Sequence, residues 1–298
     1  MTRPQWEDLP AAVRDAVQEH SGPVVKAETA VGGIMPGMAT ILHTEPGDRF
    51  FLKAIEISDP GAILHQRERW AGLHLPEQVP APWMVWNASF DGWHVALWDY
   101  VADAHHADLS PGSPDLPKIV DTVGRLGAWL TPPPAGARLV QSNIEPLQAK
   151  AKAMLAKPSG ELADRDDYER ALDGFDVAAL RGNTLLHYDL SAGNLLITTK
   201  QVYVIDWAFA AQGASWIDAA MLAPRLIQAG HTPEQADTLL SGLVAWGAAP
   251  HRAVTGLAAL WTLFRLYKAQ HGPVEVRDDR ARAAEAGKAW MGYWLSKS

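Results

Sequence analysis

The chain has 298 residues, 34 acidic against 26 basic side chains, a hydrophobic share of 48% and no cysteine. That composition belongs to a globular protein of about two domains, and it excludes a disulfide framework, a cysteine-based metal cluster and a cysteine nucleophile. The net charge of −8 comes without any basic run, which argues against a nucleic-acid partner, and no stretch approaches the roughly 18 uninterrupted apolar residues of a membrane span.

The first residues carry early acids, Glu7 and Asp8, and no apolar leader, so the chain reads as soluble and unprocessed, with the cytoplasm as its expected location. Strand signals follow at Val24-Val25, Ala39–Leu42 and Phe50–Leu52, parted by Gly, Pro and Asp clusters. After Asp59-Pro60, the residues Ile63, Arg67, Trp70 and Leu73 recur at helical spacing, and Pro76 ends the run. Pro82–Trp86 and Trp93–Trp98 flank Phe90-Asp91-Gly92, the pattern of a hairpin closed by an Asp-Gly turn. Beyond about Asp103 the character turns helical behind the breaker-rich Ser110–Pro114. The domain boundary therefore falls near Val101, giving a mostly β domain over 1–101 and a mainly helical one over 102–298. Ile119, Val120, Val123, Leu126 and Leu130 share one face of a helix that stops before Pro132-Pro133-Pro134. Thr232-Pro233-Glu234-Gln235 has the hydroxyl, proline and glutamine of a capped helix start, and three long helices are expected to close the chain. Most of the 13 tryptophans are expected in the core.

The stretch that carries chemistry is Leu185-Leu186-His187-Tyr188-Asp189-Leu190-Ser191-Ala192-Gly193-Asn194, followed by Val202-Tyr203-Val204-Ile205-Asp206-Trp207. Apolar runs around Thr199-Lys200-Gln201 predict a hairpin, and Asn194 and Asp206 lie symmetrically about position 200, so they are expected as neighbours at its open end. A carboxamide oxygen and a carboxylate oxygen suit Mg²⁺, a hard cation that takes few protein ligands and shares phosphates. Asp189 is then left to accept the proton of an attacking hydroxyl, or to orient that hydroxyl, in phosphoryl transfer. As ordinary structure, the three polar residues would be turn formers and strand ends, which leaves their matched interruption of buried strands unexplained.

His-Tyr-Asp-Leu-Ser-Ala-Gly-Asn followed by Ile-Asp-Trp resembles the catalytic and metal-binding loops of the aminoglycoside phosphotransferase and choline kinase family, which shares the protein-kinase fold. The resemblance implies a bilobal α+β fold with a β-rich amino-terminal lobe and a mainly helical carboxyl-terminal lobe. It implies Asp189 as the catalytic base, Asn194 and Asp206 as magnesium ligands, His187 as a loop buttress, and Asp218 as a structural helix cap. Upstream, Gly32-Gly33-Ile34-Met35-Pro36-Gly37 resembles a phosphate-covering loop, with Gly32, Gly33 and Gly37 as its candidates. Lys53 resembles the strand lysine that pairs with nucleotide phosphates, Glu68 its helical partner, and Leu97-Trp98-Asp99-Tyr100-Val101 the hinge where backbone groups of Asp99 and Val101 meet the base. ATP or GTP is the implied donor, Mg²⁺ the cofactor, and the hydroxyl of a small molecule the acceptor, an aminoglycoside-like antibiotic among the candidates.

Three alternatives stand beside this reading. A protein or peptide kinase is disfavoured by Ser191 two residues after Asp189, by Asp206-Trp207 in place of Asp-Phe-Gly, and by the lack of an Ala-Pro-Glu element. A nucleotide-binding pseudokinase acting as a sensor should lack one of Lys53, Asp189, Asn194 or Asp206, and all are present. A metal hydrolase built on Asp103-Ala104-His105-His106-Ala107-Asp108 would need further convergent ligands. The acid-rich Glu161–Glu169 could meet a polycation, or it could simply open a helix.

Overall fold

The computed structural model describes residues 3–30, 37–45, 47–158 and 160–297. Five strands, β1 (Val24–Thr29), β2 (Met38–Thr44), β3 (Arg49–Glu56), β4 (Met84–Phe90) and β5 (Trp93–Asp99), pair antiparallel in the order β1-β2-β3-β5-β4. Along β2, Met38, Thr40, Leu42 and Thr44 are buried and the residues between them are not, the alternation of a sheet with one face on a core. Helix α1 (Ala11–Ser21) lays Val13 and Val17 on that face, where Leu42, Leu52, Val95 and Leu97 meet them fully buried. Each such aliphatic side chain contributes roughly 1.5–3 kcal/mol by leaving water, so the cluster is the main adhesive of the sheet. Asp91 and Gly92, with φ of 50° and 80°, supply the two left-handed positions that close the predicted β4–β5 hairpin. Helix α2 (Ala62–His74) starts after Asp59-Pro60 and stops before Pro76, as the spacing predicts.

Next come β6 (His105–His106), α3 (Leu116–Trp129), α4 (Gln141–Leu155), α5 (Arg165–Leu172) and β7 (Thr184–Leu186). A short hairpin, β8 (Leu195–Ile197) and β9 (Val202–Val204), leads to β10 (Ala211–Gly213), which pairs with β7. The remainder is helical: α6 (Ile217–Gln228), α7 (Pro233–Leu240), the single turn α8 (Val244–Gly247), α9 (His251–His271) and α10 (Arg277–Ser296). The capping box at Thr232 forms, its hydroxyl accepting from the Gln235 N–H at 3.2 Å. Only α9 and α10 are long among the helices that follow it, rather than three, because Gly247 and Pro250 interrupt the run after α7. Trp83 is exposed, whereas Trp93, Trp207, Trp216, Trp246, Trp261 and Trp290 are buried.

Contacts divide the chain into two units, Met1–His106 with Gly193–Phe209, and Ala107–Ala192 with Ala210–Ser298. The second stretch of the first unit lies inside the segment 102–298 that the sequence reading assigns to the helical domain. Backbone bonds account for the difference: β8 pairs with β6 through His105↔Ile197 and His106↔Leu196, and the Val204 N–H donates to Pro80 at 2.7 Å. His105 and His106 are exposed, on a strand rather than in a loop.

Gly72 of α2 faces Trp98 of β5 so closely that an added Cβ would stand 2.4 Å from the indole. Helix propensity alone favours Gly72→Ala by about 1 kcal/mol, while overpacking a filled site costs about 1–3 kcal/mol. We expect the second effect to win, with the urea midpoint falling at unchanged slope; a raised midpoint would mean that Trp98 yields.

Candidate active site

Lys53 stands in β3, the middle strand of five, paired on one side with Ala39 and on the other with Ala96. Its side chain is only 20% exposed, so it is not a solvated edge residue and its ammonium must be paired. Glu68 of α2 answers it, Oε1 lying 2.6 Å from Nζ with the Glu68 side chain 10% exposed. Asp206 Oδ1 lies 3.7 Å from the same nitrogen and is more open, at 37%. Burial pulls the Lys53 ammonium down, and the charges of Glu68 and Asp206 outweigh it, leaving its pKa above the usual lysine value. Burial pushes the Glu68 carboxyl up; Lys53 opposes this and Asp206 adds to it, and the carboxyl titrates at about 7.

A polar network that no sequence signal announced holds α2 at this distance. Arg69 donates to Asn87 Oδ1 at 2.6 and 3.1 Å and to Ser89 at 2.7 Å, and Ser89 and Gln66 each meet a ring nitrogen of His94 at 2.7 Å. One helix is thereby tied to β4 and β5 on the side next to the one that presents Glu68.

The hairpin carrying Asn194 and Asp206 forms in a register one residue away from the symmetric one. Leu195 pairs with Val204 and Ile197 with Val202, and the Ile205 N–H donates to the Asn194 carbonyl at 3.0 Å. The turn explains the shift: the Thr198 N–H donates to Gln201 at 3.0 Å, and the Thr198 hydroxyl accepts from the Gln201 N–H at 3.0 Å. The loop is therefore the two residues Thr199-Lys200, not three, and Asn194 stands opposite Ile205. Asp206, one residue beyond, takes φ of 63°, a left-handed conformation that costs a non-glycine residue roughly 1–3 kcal/mol and ends the strand at its carboxylate.

Among the other candidates, Gly32 and Gly33 lie outside the described residues. Gly37 has φ of 98°, and a Cβ there would stand 2.8 Å from the Ala54 carbonyl, so backbone geometry alone demands glycine. Asp99 ends β5 with its N–H donated to Trp83 at 2.8 Å, which leaves that donor unavailable to a base; Val101 follows, half-buried.

In the second unit, His187 and Tyr188 follow β7 and both backbone N–H groups go to one carboxylate, donating to Asp218 Oδ2 at 2.9 Å and Oδ1 at 2.7 Å. Asp218 is buried, which raises its carboxyl against the pull of His187 and of these two bonds. It lies in the first turn of α6 behind an N-cap at Trp216, so it clamps the loop and does not cap the helix. Tyr188 is left-handed at φ of 72°, and the fully buried His187 accepts the Asp189 N–H on Nδ1 at 3.3 Å. Arg225 of α6 donates to Asp189 Oδ1 at 3.1 Å, and Arg265 of α9 stands 3.9 Å from that oxygen. The sequence reading passed over both arginines, although each is a single charge in an apolar helical run, Leu222-Ala223-Pro224-Arg225-Leu226 and Leu263-Phe264-Arg265-Leu266.

A five-stranded sheet with a paired central lysine, followed by helices and a clamped aspartate loop, is the kinase-like fold, and solved structures agree. The apo form of a thermostable mutant of aminoglycoside phosphotransferase APH(4)-Ia is similar at a TM-score of 0.65 and 15% identity, over 95% of this chain and 99% of that one. A choline/ethanolamine kinase family protein from Mesorhizobium loti is similar at 0.56 and 15%, over 93% and 98%. Macrolide 2'-phosphotransferase MphH from Brachybacterium faecium is similar at 0.56 and 16%, over 92% and 98%. The model of the phosphotransferase enzyme family (APH) matches residues 39–256, and the chain belongs to that family. No curated protein matches it significantly.

Glu68 gives the site a pH signature. Its carboxyl holds a proton up to about 7 when folded but only to about 4.5 at its ordinary value. The folded state therefore binds more protons across that window, and this group makes stability fall as pH rises through it. Glu68→Gln should remove that part of the slope in denaturation curves taken from pH 4.5 to 7.5; an unchanged slope would show that Glu68 is ionised throughout.

Proposed function

We propose that this phosphotransferase moves the γ-phosphate of ATP or GTP, bound with Mg²⁺, to a hydroxyl of a small molecule. The observation that carries the reading is Lys53 Nζ held between Glu68 at 2.6 Å and Asp206 at 3.7 Å. An ammonium so fixed is suited to nucleotide phosphates, and Glu68 keeps it from collapsing onto Asp206 alone. Gly32, Gly33 and Gly37 would cover the phosphates, and the Asp99 carbonyl with the backbone of Val101 would meet the base.

The residues present fit a magnesium ion. Asn194 and Asp206 offer a carboxamide and a half-open carboxylate, hard oxygen donors in the number that Mg²⁺ takes from protein when phosphates and water supply the rest. Among the described residues no group of three His, Cys, Asp or Glu side chains could cage a metal without such help. When bound there, the cation neutralises charge on the transferring phosphate.

Asp189 accepts the proton of the acceptor hydroxyl as its oxygen bonds to the γ-phosphorus. The bond from that phosphorus to the bridging oxygen breaks, and its electron pair leaves with the nucleoside diphosphate. Clamping by Asp218 and His187 keeps the Asp189 backbone in place for this work.

Transfer of labelled γ-phosphate to a mixed pool of hydroxyl compounds, read by mass, tests the reading. Asp189→Asn should lower turnover by ~10²-fold or more with nucleotide affinity largely kept, and equal turnover would remove Asp189 from the chemistry. Asp206→Ala should abolish the gain in nucleotide affinity that Mg²⁺ brings; the same gain in variant and wild type would contradict the metal assignment.

A further inference from the structure

Two arginines from two helices, α6 and α9, meet the carboxylate of Asp189. The Arg225 and Arg265 guanidinium groups are 12% and 8% exposed and lie 3.1 and 3.9 Å from the same Asp189 oxygen. Both also stack over Trp261 of α9, at 5.3 and 4.8 Å from the ring centroid, so one indole carries two like charges. Outside this contact, the half-buried Arg280 of α10 has its pKa lowered by burial first and by the like charge of Arg225 second, while Asp189 raises it. Its helical neighbour Asp279 is engaged elsewhere, by Gln228 at 2.9 Å and Arg282 at 3.5 Å. The cluster is thus two cations on one carboxylate oxygen. Both are deeply buried, and the buried Arg265 Nε has no hydrogen-bond partner among the described residues.

Buried guanidinium groups in excess of their carboxylates are costly unless an anion completes them, and the planar donor fork of arginine matches carboxylate and phosphate oxygens. We infer that the acceptor is an anionic alcohol, a hydroxyl compound bearing a carboxylate or a phosphate monoester, whose anionic group is seated by Arg225 and Arg265 beside Asp189. The inference deepens the phosphotransferase reading and rests on it for the role of Asp189. An anion on this cluster takes up the guanidinium donors that now reach Asp189 Oδ1 and leaves that oxygen to the hydroxyl proton. A polycation would meet like charge at the same place. In the acid-rich segment before and within α5, three of the acids are already paired, Asp164 with Lys288, Asp167 with Arg170 and Glu169 with Arg165.

Calorimetry on the full chain without nucleotide or metal tests the anion seat separately from phosphoryl transfer. The probes are L-tartrate as a hydroxycarboxylate, glycerol 3-phosphate as a phosphate monoester, glycerol as a neutral control and spermidine as a polycation. At least one anion should bind saturably and the two controls should not, and the pair of anions distinguishes carboxylate from phosphate. Arg265→Gln should weaken that binding by about thirtyfold or more, as removal of one partner from a buried charged contact does. Arg225→Gln provides a second variant if the first does not fold. Asp189→Asn removes the internal carboxylate that competes for the arginines and should tighten binding roughly tenfold. The inference fails if neither anion binds wild type or Asp189→Asn, if spermidine binds in their place, or if binding ignores the arginine variants and disappears with Lys53→Ala. Failure of the phosphotransferase reading is seen elsewhere, as loss of Mg²⁺-dependent nucleotide binding and transfer in wild type.

Discussion

An ammonium group in the central strand of a sheet must be paired, and from Lys53 that requirement runs outward through the first unit. Glu68 satisfies it only if α2 lies at one height against β3, and the Arg69, Asn87, Ser89 and His94 network and the Gly72–Trp98 contact set that height. A buried ion pair is a weak source of net stability, because desolvation consumes most of the attraction. Its effect here is positional: neither partner can leave without stranding the other. The rise of the Glu68 carboxyl to about 7 expresses the same balance, burial and Asp206 on one side and Lys53 on the other.

The second unit holds its candidate base by different means. Asp218 receives two consecutive backbone N–H groups around a left-handed Tyr188, and Asp189 follows at the end of the loop these bonds hold. Left-handed tyrosine is unfavourable by roughly 1–3 kcal/mol and persists only where surrounding bonds over-determine it. Asp206 repeats the device at the end of its hairpin. Both carboxylates are therefore placed by backbone conformation, so substitutions at their neighbours act on geometry before they act on charge.

Family membership and fold leave the acceptor open, because one scaffold serves many acceptors through the residues grafted onto it. Structures similar to this chain hold ADP with hygromycin B in one instance and GDP with kanamycin in another. Those ligands belong to those proteins. In this chain the charge beside Asp189 comes from α6 and α9, which each contribute a buried arginine.

Much of this was legible before any fold was known. Local spacing determined the Asp91-Gly92 turn, the limits of α2, the Thr232 cap and the existence of the hairpin between Asn194 and Asp206, because each depends on residues within one turn of chain. The motif around Asp189 gave the chemistry its residue types and the family its likeness. Tertiary structure decided the rest. The hairpin register hung on whether Thr198 bonds to Gln201, a difference of one residue that composition cannot express. Residues Gly193–Phe209 joined the first unit through backbone pairing with distant strands. Arg225 and Arg265 lie on separate helices and converge on one carboxylate only once those helices pack. The sequence determines which face of a helix is apolar; which charges meet across that packing is decided by the low-dielectric interior, where a buried guanidinium must find a partner.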